Sequence, residues 1–217
     1  RLGWPGWRAL QQVCDAASAA GLLVIADGKR GDVPVTAKAY GQAMVGSTPS
    51  PFGEVAGLGA DAFTANPLLG IDALEPMVAA AESAGAGVFA LVRTSNPGAA
   101  DVEDLQAPGG PVHEKLAAIV DGFGGRLASS DGTLSGMGAV VGATEPGHIA
   151  RLRELMPKAV FLVPGVGAQG GRPENLGPAF GPGRAAALVP ASRSIAGAPD
   201  PGQAAEDLRE AVWAVSS

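Results

Sequence analysis

The sequence is poor in the residues that build metal clusters and disulfide frameworks. It has one cysteine and two histidines in 217 residues. The lone cysteine, Cys14, excludes an intrachain disulfide framework and suits a reducing compartment. No apolar run reaches the roughly 18 residues that a membrane-spanning helix needs. We therefore expect a cytoplasmic protein that contacts no membrane and holds no metal.

Positive charge is also scarce. There are 15 Lys and Arg residues against 21 Asp and Glu, a formal net charge of −6. Nucleic acids and anionic membranes bind clustered cations, so this balance argues against both partners. Hydrophobic residues make up 47% of the chain, enough for a sizeable core and too many for a disordered segment. Glycine is abundant, at 33 residues, which indicates many tight turns or close backbone approaches.

Short apolar runs alternate with longer stretches of helical periodicity, the pattern of an α/β fold with a parallel sheet. The predicted strands are residues 22–26, 62–65, 87–92, 137–142, 159–163 and 185–189. The predicted helices are residues 7–20, 34–44, 71–84, 112–123, 146–155 and 202–215. The strands lack alternation of polar and apolar residues, so we expect both of their faces to be covered. We expect one domain, residues 1–217, with irregular stretches at 45–60, 96–111 and 124–136.

Two architectures fit this order of elements, a (β/α)8 barrel and an open doubly wound sheet. Polar or glycine-rich segments follow four of the predicted strands, at residues 27–32, 94–98, 164–171 and 192–194. Functional groups at the C-terminal ends of several strands favour the barrel. A closed barrel of this type needs eight strands, and six are predicted. Because the chain opens with a helix and lacks an initiator Met, we expect an N-terminally incomplete barrel with an open edge.

Residues 27–32 read Asp-Gly-Lys-Arg-Gly-Asp and directly follow a predicted strand. Residues two apart on an extended strand point the same way, so Asp27 and Lys29 are expected to project together, with Asp32 in the turn. A lysine between two carboxylates is well oriented to give a proton to a developing carbanion. A solvated ion cluster in a loop explains these six residues equally well.

The segments after the last two predicted strands are candidates for binding a phosphate. Residues 164–171 run from Pro164 to Gly171 and include Gln169, and residues 192–194 read Ser-Arg-Ser. Glycine lets backbone N–H groups approach an anion, and a guanidinium adds charge-assisted hydrogen bonds. Gln169 and Arg193 are therefore phosphate candidates, although a tight turn and a surface arginine remain an alternative.

Three weaker signals complete the pattern. Ser95, within the Thr-Ser-Asn-Pro-Gly segment 94–98, can hydrogen-bond a polar heterocycle, or the segment can be an ordinary turn. His113 and His148 have no partner at metal-ligand spacing, so we expect both at the surface. The tryptophans, Trp4, Trp7 and Trp213, are expected to be packing residues.

Taken together, these segments resemble the orotidine 5′-phosphate decarboxylase family, in its longer bacterial branch. The matching motifs are residues 27–32, Thr-Ala-Asn-Pro at 64–67, Arg-Thr-Ser-Asn-Pro-Gly at 93–98, residues 164–171, and Ser-Arg-Ser at 192–194. The resemblance implies a (β/α)8 barrel, a homodimer with shared active sites, and decarboxylation of orotidine 5′-monophosphate to UMP without a metal or organic cofactor.

The resemblance also assigns a role to each matching residue. It places Asp27 near the substrate carboxylate and makes Lys29 the group that protonates C6. Asp32 and Thr36 are expected to act from the neighbouring subunit, and Ser95 to bind the pyrimidine. The phosphate is expected to contact Gln169, Arg193 and the backbone around Pro164 and Ser192.

The family pattern also includes an aspartate and a second lysine on strands upstream of the first residue here. We therefore expect the chain alone to be poorly active. Two further interpretations stay open: a metal-dependent sugar-phosphate decarboxylase of the same superfamily, and an inactive fragment that binds nucleotides.

Overall fold

The computed structural model describes residues 2–167 and 169–217, so Arg1 and Ala168 lie outside the described residues. The residues group into two compact units, the first ending at Val88 and the second beginning at Phe89. The single domain expected from the sequence stays a prediction. The helices are α1 (Gly3–Ala19), α2 (Pro34–Met44), α3 (Ile71–Ala84), α4 (Val112–Phe123), α5 (Pro146–Leu155), α6 (Arg193–Ala196) and α7 (Pro201–Val215). The strands are β1 (Ile25–Arg30), β2 (Ser47–Ser50), β3 (Gly53–Ala56), β4 (Ala62–Ala65), β5 (Gly87–Arg93), β6 (Gln106–Ala107), β7 (Gly110–Pro111), β8 (Ser135–Val141), β9 (Ala159–Leu162) and β10 (Ala187–Leu188).

Four helices, α2 to α5, have the bounds that the sequence predicts. Proline opens α2 and α5 at a position where its missing N–H forms no helical hydrogen bond. Helix α3 stops at Gly85, which takes a left-handed conformation with φ +67° that glycine adopts without strain. Local sequence signals therefore define these helix ends.

Other bounds differ from the prediction. Strand β1 starts three residues later than expected and continues through the polar residues to Arg30. The stretch 45–60 contains the antiparallel hairpin β2–β3, which turns at Pro51 and Phe52, and 96–111 contains the smaller hairpin β6–β7. Helix α6 was not predicted, because four residues are too few to show a helical period.

In the first unit, β1 pairs in parallel with β4, and α2 packs against α3. Strand β4 is buried at every position, as expected for a strand covered on both faces. The helices approach closely at Gly41, where a Cβ atom would lie 2.8 Å from Ala80 Cβ. Strand β1 contradicts the expectation of full cover, since its residues are half-buried or exposed and it lies at an edge of its sheet.

In the second unit, β9 pairs in parallel with both β8 and β10. Gly138 of β8 allows close contact, because a Cβ atom there would lie 2.5 Å from the carbonyl oxygen of Val160 and 2.7 Å from the Phe89 ring. The interior beneath these strands is filled by large side chains that include Met137, Ile149 and Phe161.

The three tryptophans, which we expected as packing residues, are largely exposed. Trp4 and Trp7 of α1 are 74% and 59% exposed. Trp213 of α7 is 52% exposed, and the Arg184 guanidinium lies over its ring at 3.9 Å. Within the described residues, no helix combines the length and the apolar character that crossing a membrane requires.

Arg153 of α5 is a buried arginine that forms hydrogen bonds with several segments of the second unit. It is 9% exposed, and its guanidinium lies 3.7 Å from the centroid of the Phe161 ring. Its Nη atoms donate to four carbonyl oxygens, those of Met156, Ala159, Ala179 and Ala186. Burial lowers the pKa of Arg153 to about 10, so the side chain is still charged at neutral pH. One guanidinium thus donates hydrogen bonds to carbonyl oxygens at the end of α5, at the start of β9 and in the segment before β10.

We predict that Arg153→Met destabilises the protein by about 3 kcal/mol, because methionine fills the space of the stem but leaves buried carbonyls without donors. The matched control is Arg151→Met on the same helix, whose side chain is 48% exposed and pairs with Glu114. Urea unfolding should show a much smaller change for the control. Equal losses in the two variants would contradict the role given to Arg153.

Candidate functional site

The first unit carries an ion pair on β1. The Lys29 ammonium contacts Asp27 Oδ1, and both side chains are about half-exposed. The pair rests on Thr64 of β4, which is completely buried. Thr64 Oγ1 accepts the backbone N–H of Lys29 at 2.8 Å and donates to Asp27 Oδ1 at 3.0 Å. A single hydroxyl therefore fixes the backbone of the lysine and the carboxylate that faces it.

The backbone at Lys29 is strained. Its φ is +49°, and no other non-glycine residue among those described has a positive φ. This conformation costs a residue with a side chain about 1–2 kcal/mol. The sequence-based argument assumed a regular strand at residues 27–29. The two side chains do meet, but through this left-handed residue and the break in register between Ala26 and Arg30.

Two neighbouring glycines make close contacts. A Cβ atom on Gly31 would lie 2.3 Å from the carbonyl oxygen of Asn66, and one on Gly28 would lie 2.7 Å from Tyr40 Oη. Tyr40 Oη donates to the carbonyl oxygen of Thr64 at 3.1 Å, and burial raises the pKa of Tyr40. Sequence reasoning missed Tyr40 as a site residue and named Thr64 only as part of a motif. The available signal was that Tyr40, the one tyrosine of the sequence, lies in the helix that directly follows the motif.

Asp32 and Thr36 lie further along the same unit. Asp32 Oδ1 accepts the N–H of Val33 at 2.7 Å, and the described residues contain no ion pair between Asp32 and Lys29. Among the described residues, the lysine expected between two carboxylates therefore pairs with one, Asp27. Asp27, Asp32 and Thr36 all line a cavity of about 740 Å³ in the first unit.

We predict that Lys29→Gly is more stable than Lys29→Ala by about 1 kcal/mol, because only glycine adopts the left-handed conformation without strain. Both variants lose the ammonium, so the comparison isolates the backbone. Urea unfolding of the two proteins measures the difference. Equal stability would show that the backbone at residue 29 is not strained.

The second unit brings together Ser95, Gln169 and Arg193. Ser95 Oγ donates to Gln169 Oε1 at 2.6 Å. All three residues line one cavity of about 890 Å³. Ser95 follows β5, Gln169 follows β9 and Arg193 opens α6, so the loops after three strands supply this cavity. Polar donors and a guanidinium in one cavity suit a polar, anionic ligand.

The glycine-rich loop 164–171 forms hydrogen bonds with itself. Gly167 N–H donates to the carbonyl of Gly171, Gly170 N–H to that of Gly167, and Gly171 N–H to that of Gly165. The phosphate interpretation relied on such N–H groups, and in this structure these three have partners inside the loop. The carbonyl of Pro164 accepts the N–H of Ala143 at 2.8 Å. Ala168 of this loop lies outside the described residues.

Ser192 is exposed and directly precedes α6. Its carbonyl accepts the N–H groups of Ile195 at 3.1 Å and Ala196 at 2.8 Å. Arg193 is also exposed and lines the cavity of about 890 Å³, and among the described residues its side chain forms no ion pair.

His113 contradicts the sequence-based expectation of a surface residue, whereas His148 is half-buried. His113 is 5% exposed, and its ring lies 4.9 Å from that of His148. Ligand atoms of Asp104, His113 and His148 lie within 4.8 Å of one another, which is a possible spacing for a metal. However, Arg93 occupies both oxygens of Asp104, at 2.8 and 2.9 Å, and His113 Nδ1 lies 2.9 Å from the carbonyl oxygen of Glu103. The cluster is therefore a salt-bridged network, which sequence spacing alone did not reveal.

Electrostatics in this network follow from the same contacts. The hydrogen bond from Arg93 holds the pKa of Asp104 below its usual range. Burial, and then the neighbouring His113 and Arg93, lower the pKa of His148, so its ring is neutral at physiological pH. A neutral imidazole is compatible with the guanidinium beside it.

Comparison with known proteins identifies the family. The model of the Orotidine 5'-phosphate decarboxylase / HUMPS family matches residues 3–208. The orotidine 5′-phosphate decarboxylase of Deinococcus radiodurans is 45% identical over 194 residues, 89% of this chain and 66% of that protein. The enzyme of the same name from Rhodopirellula baltica is 41% identical over 198 residues, 90% of this chain and 63% of its own length. The chain thus spans slightly less than two thirds of these relatives.

Solved structures agree with the sequence comparison. Leishmania donovani OMP decarboxylase matches with a TM-score of 0.74 and 33% identity, over 99% of this chain and 76% of that one. UMP synthase from the same organism matches with a TM-score of 0.77 and 34% identity, over 99% of this chain and 44% of that one. The fold is that of a (β/α)8 barrel. The described residues supply six strands, β1, β4, β5, β8, β9 and β10, which alternate with helices along the chain. The chain belongs to the orotidine 5′-phosphate decarboxylase / HUMPS family.

Proposed function

We propose that the protein decarboxylates orotidine 5′-monophosphate to UMP and CO2, the last step of UMP biosynthesis, without a metal or organic cofactor. The observation that carries this proposal is the Asp27–Lys29 ion pair, held by Thr64 on a strained backbone at the end of β1. Backbone strain of this kind persists where the surrounding structure enforces it, and it concentrates at functional sites. The names of relatives that are 41–45% identical support the same reaction.

The chemistry needs a cation beside C6 of the pyrimidine. When the bond from C6 to the carboxylate breaks, CO2 leaves and the electron pair stays on C6. In our proposal the Lys29 ammonium stabilises this developing carbanion and transfers a proton to C6, and solvent then reprotonates the amine. Asp27 orients the ammonium, and its negative charge lies near the departing carboxylate.

The second unit supplies the groups proposed to hold the nucleotide. Ser95 is assigned to the pyrimidine, since its hydroxyl is already oriented by Gln169. Gln169, Arg193 and the backbone around Pro164 and Ser192 are assigned to the phosphate. A guanidinium binds a phosphate through charge-assisted hydrogen bonds, and binding energy from this remote group can position the base for reaction.

We further propose that the protein is a cytoplasmic homodimer in which Asp32 and Thr36 act on the active site of the partner. Both residues are exposed in this chain, and Asp32 forms no ion pair with Lys29 among the described residues. A carboxylate supplied by a second subunit would restore the arrangement of a lysine between two acids.

We predict that Lys29→Ala lowers kcat by about 10⁴-fold or more, because it removes both the proton donor and the cation that stabilises the carbanion. The assay uses this chain together with any further segments that its gene encodes, and follows loss of the substrate carboxylate. Lys38→Ala is the matched control, since Lys38 is an exposed lysine of α2. A modest loss of rate in Lys29→Ala would remove Lys29 from the acid role.

The same assay separates the alternatives. Arg193→Ala should mainly raise KM for the phosphorylated substrate and leave turnover of the phosphate-free nucleoside unchanged; an equal loss for both would reject the phosphate assignment. A rate abolished by a chelator would favour the metal-dependent sugar-phosphate chemistry. UMP binding without any turnover would favour a nucleotide-binding protein.

A further inference from the structure

The two residues just before Ser95 form several hydrogen bonds with acidic side chains. Arg93, the last residue of β5, and Thr94 directly precede Ser95. Arg93 is hydrogen-bonded to Asp104, and Thr94 to Glu103. These acids follow the short 3-10 helix Pro97–Asp101, in a stretch that the sequence indicated only as irregular.

The first grip is on the side chain of Arg93, which is 8% exposed. Its Nε and Nη2 atoms donate to the two oxygens of Asp104 at 2.8 and 2.9 Å. Its remaining Nη1 atom donates to the backbone carbonyl of Thr94 at 2.6 Å. The planar guanidinium thus transmits the position of the Asp104 carboxylate to the peptide that joins Thr94 to Ser95.

The second grip is on Thr94 itself. Its backbone N–H donates to Glu103 Oε2 at 2.8 Å, and its hydroxyl lies 3.1 Å from Glu103 Oε1. Glu103 is in turn anchored, because its carbonyl accepts the N–H of His113 at 2.8 Å and lies 2.9 Å from His113 Nδ1. The two acids therefore fix the Thr94 N–H and carbonyl, leaving the backbone before Ser95 little freedom.

Two glycines allow the backbone to approach Ser95 closely. A Cβ atom on Gly142 would lie 2.8 Å from Ser95 Cα, and one on Gly165 would lie 3.0 Å from Ser95 Cβ. Ser95 is thus closely approached by the backbone at Gly142 and Gly165, and it lines a cavity together with its hydrogen-bond partner Gln169. Small displacements of the preceding backbone would move the hydroxyl directly.

We propose that Glu103 and Asp104 are positioning residues that set the hydroxyl of Ser95 for recognition of the pyrimidine ring. The inference rests on the proposed function, and it deepens it by assigning the positioning of Ser95 to two acids that act through Arg93 and Thr94. Among the described residues no hydrogen bond or ion pair joins the Arg193 side chain to Glu103, Asp104 or Ser95, so phosphate recognition through Arg193 should separate from base recognition.

The experiment measures binding of UMP and of ribose 5-phosphate to the protein by calorimetry. Asp104→Asn loses the charge that holds Arg93, and Glu103→Ala loses the acceptor for Thr94. Each should weaken UMP binding about tenfold, which is the size of effect expected when one charge-assisted hydrogen bond is lost. Each should change ribose 5-phosphate binding less than about twofold. Glu103→Gln keeps an acceptor oxygen for the Thr94 N–H, so it should bind UMP within about threefold of the unmodified protein.

The matched control is Glu206→Gln, which breaks a two-point arginine pair with Arg209 on α7. It should bind both probes normally. Gly142→Ala tests the same idea without altering a charge, because its methyl group pushes on Ser95, and it should show the same selective loss of UMP binding.

Three outcomes would overturn the inference. Normal UMP binding by Asp104→Asn and Glu103→Ala would exclude a positioning role while leaving the proposed function intact. Equal losses for UMP and ribose 5-phosphate would indicate a general structural role. If the unmodified protein bound neither probe, the proposed function would fail and this inference with it.

Discussion

The buried hydroxyl of Thr64 is the constraint on which the reactive end of the first unit depends. It lies on a fully buried strand and reaches the neighbouring strand at two points, the backbone N–H of Lys29 and the carboxylate of Asp27. A hydroxyl can donate one hydrogen bond and accept others, so one group satisfies both partners. The strained, left-handed Lys29 is stable because its N–H has this buried acceptor, and the ammonium and the carboxylate then face each other across two residues.

The second unit solves a similar problem with charges instead of a hydroxyl. Ser95 must present one oxygen to a cavity, and the backbone before it is fixed through Arg93 by Asp104 and through Thr94 by Glu103. In the first unit the half-exposed Lys29 and Asp27 are oriented by the buried Thr64, and in the second the half-buried Ser95 follows the buried Arg93. Preorganised groups do not have to be reoriented during the reaction, which is why such arrangements suit catalysis and recognition.

The sequence predicted what local signals can define. The helices that begin at Pro34 and Pro146 and the helix that stops before Gly85 have the predicted ends. The motif at 27–32 located the ion pair. It could not show that Lys29 is left-handed, because that conformation is imposed by a threonine 35 residues away. The burial of His113 and the grip of Asp104 on Arg93 were missed for the same reason, since both depend on how the loop at 96–111 folds back on β5. Charged residues in such a loop look like a solvated surface until their partners are known.

The most direct test of this account is the decarboxylation rate of Thr64→Val, with Thr64→Ser as the variant that keeps the hydroxyl. Valine has the same shape but neither accepts the Lys29 N–H nor donates to Asp27. We expect kcat to fall about 100-fold in Thr64→Val, as for a misplacement of reacting groups by about 1 Å, with UMP affinity nearly unchanged and with most of the rate retained in Thr64→Ser. A Thr64→Val protein that folds and turns over at the normal rate would contradict the claim that this hydroxyl organises the site.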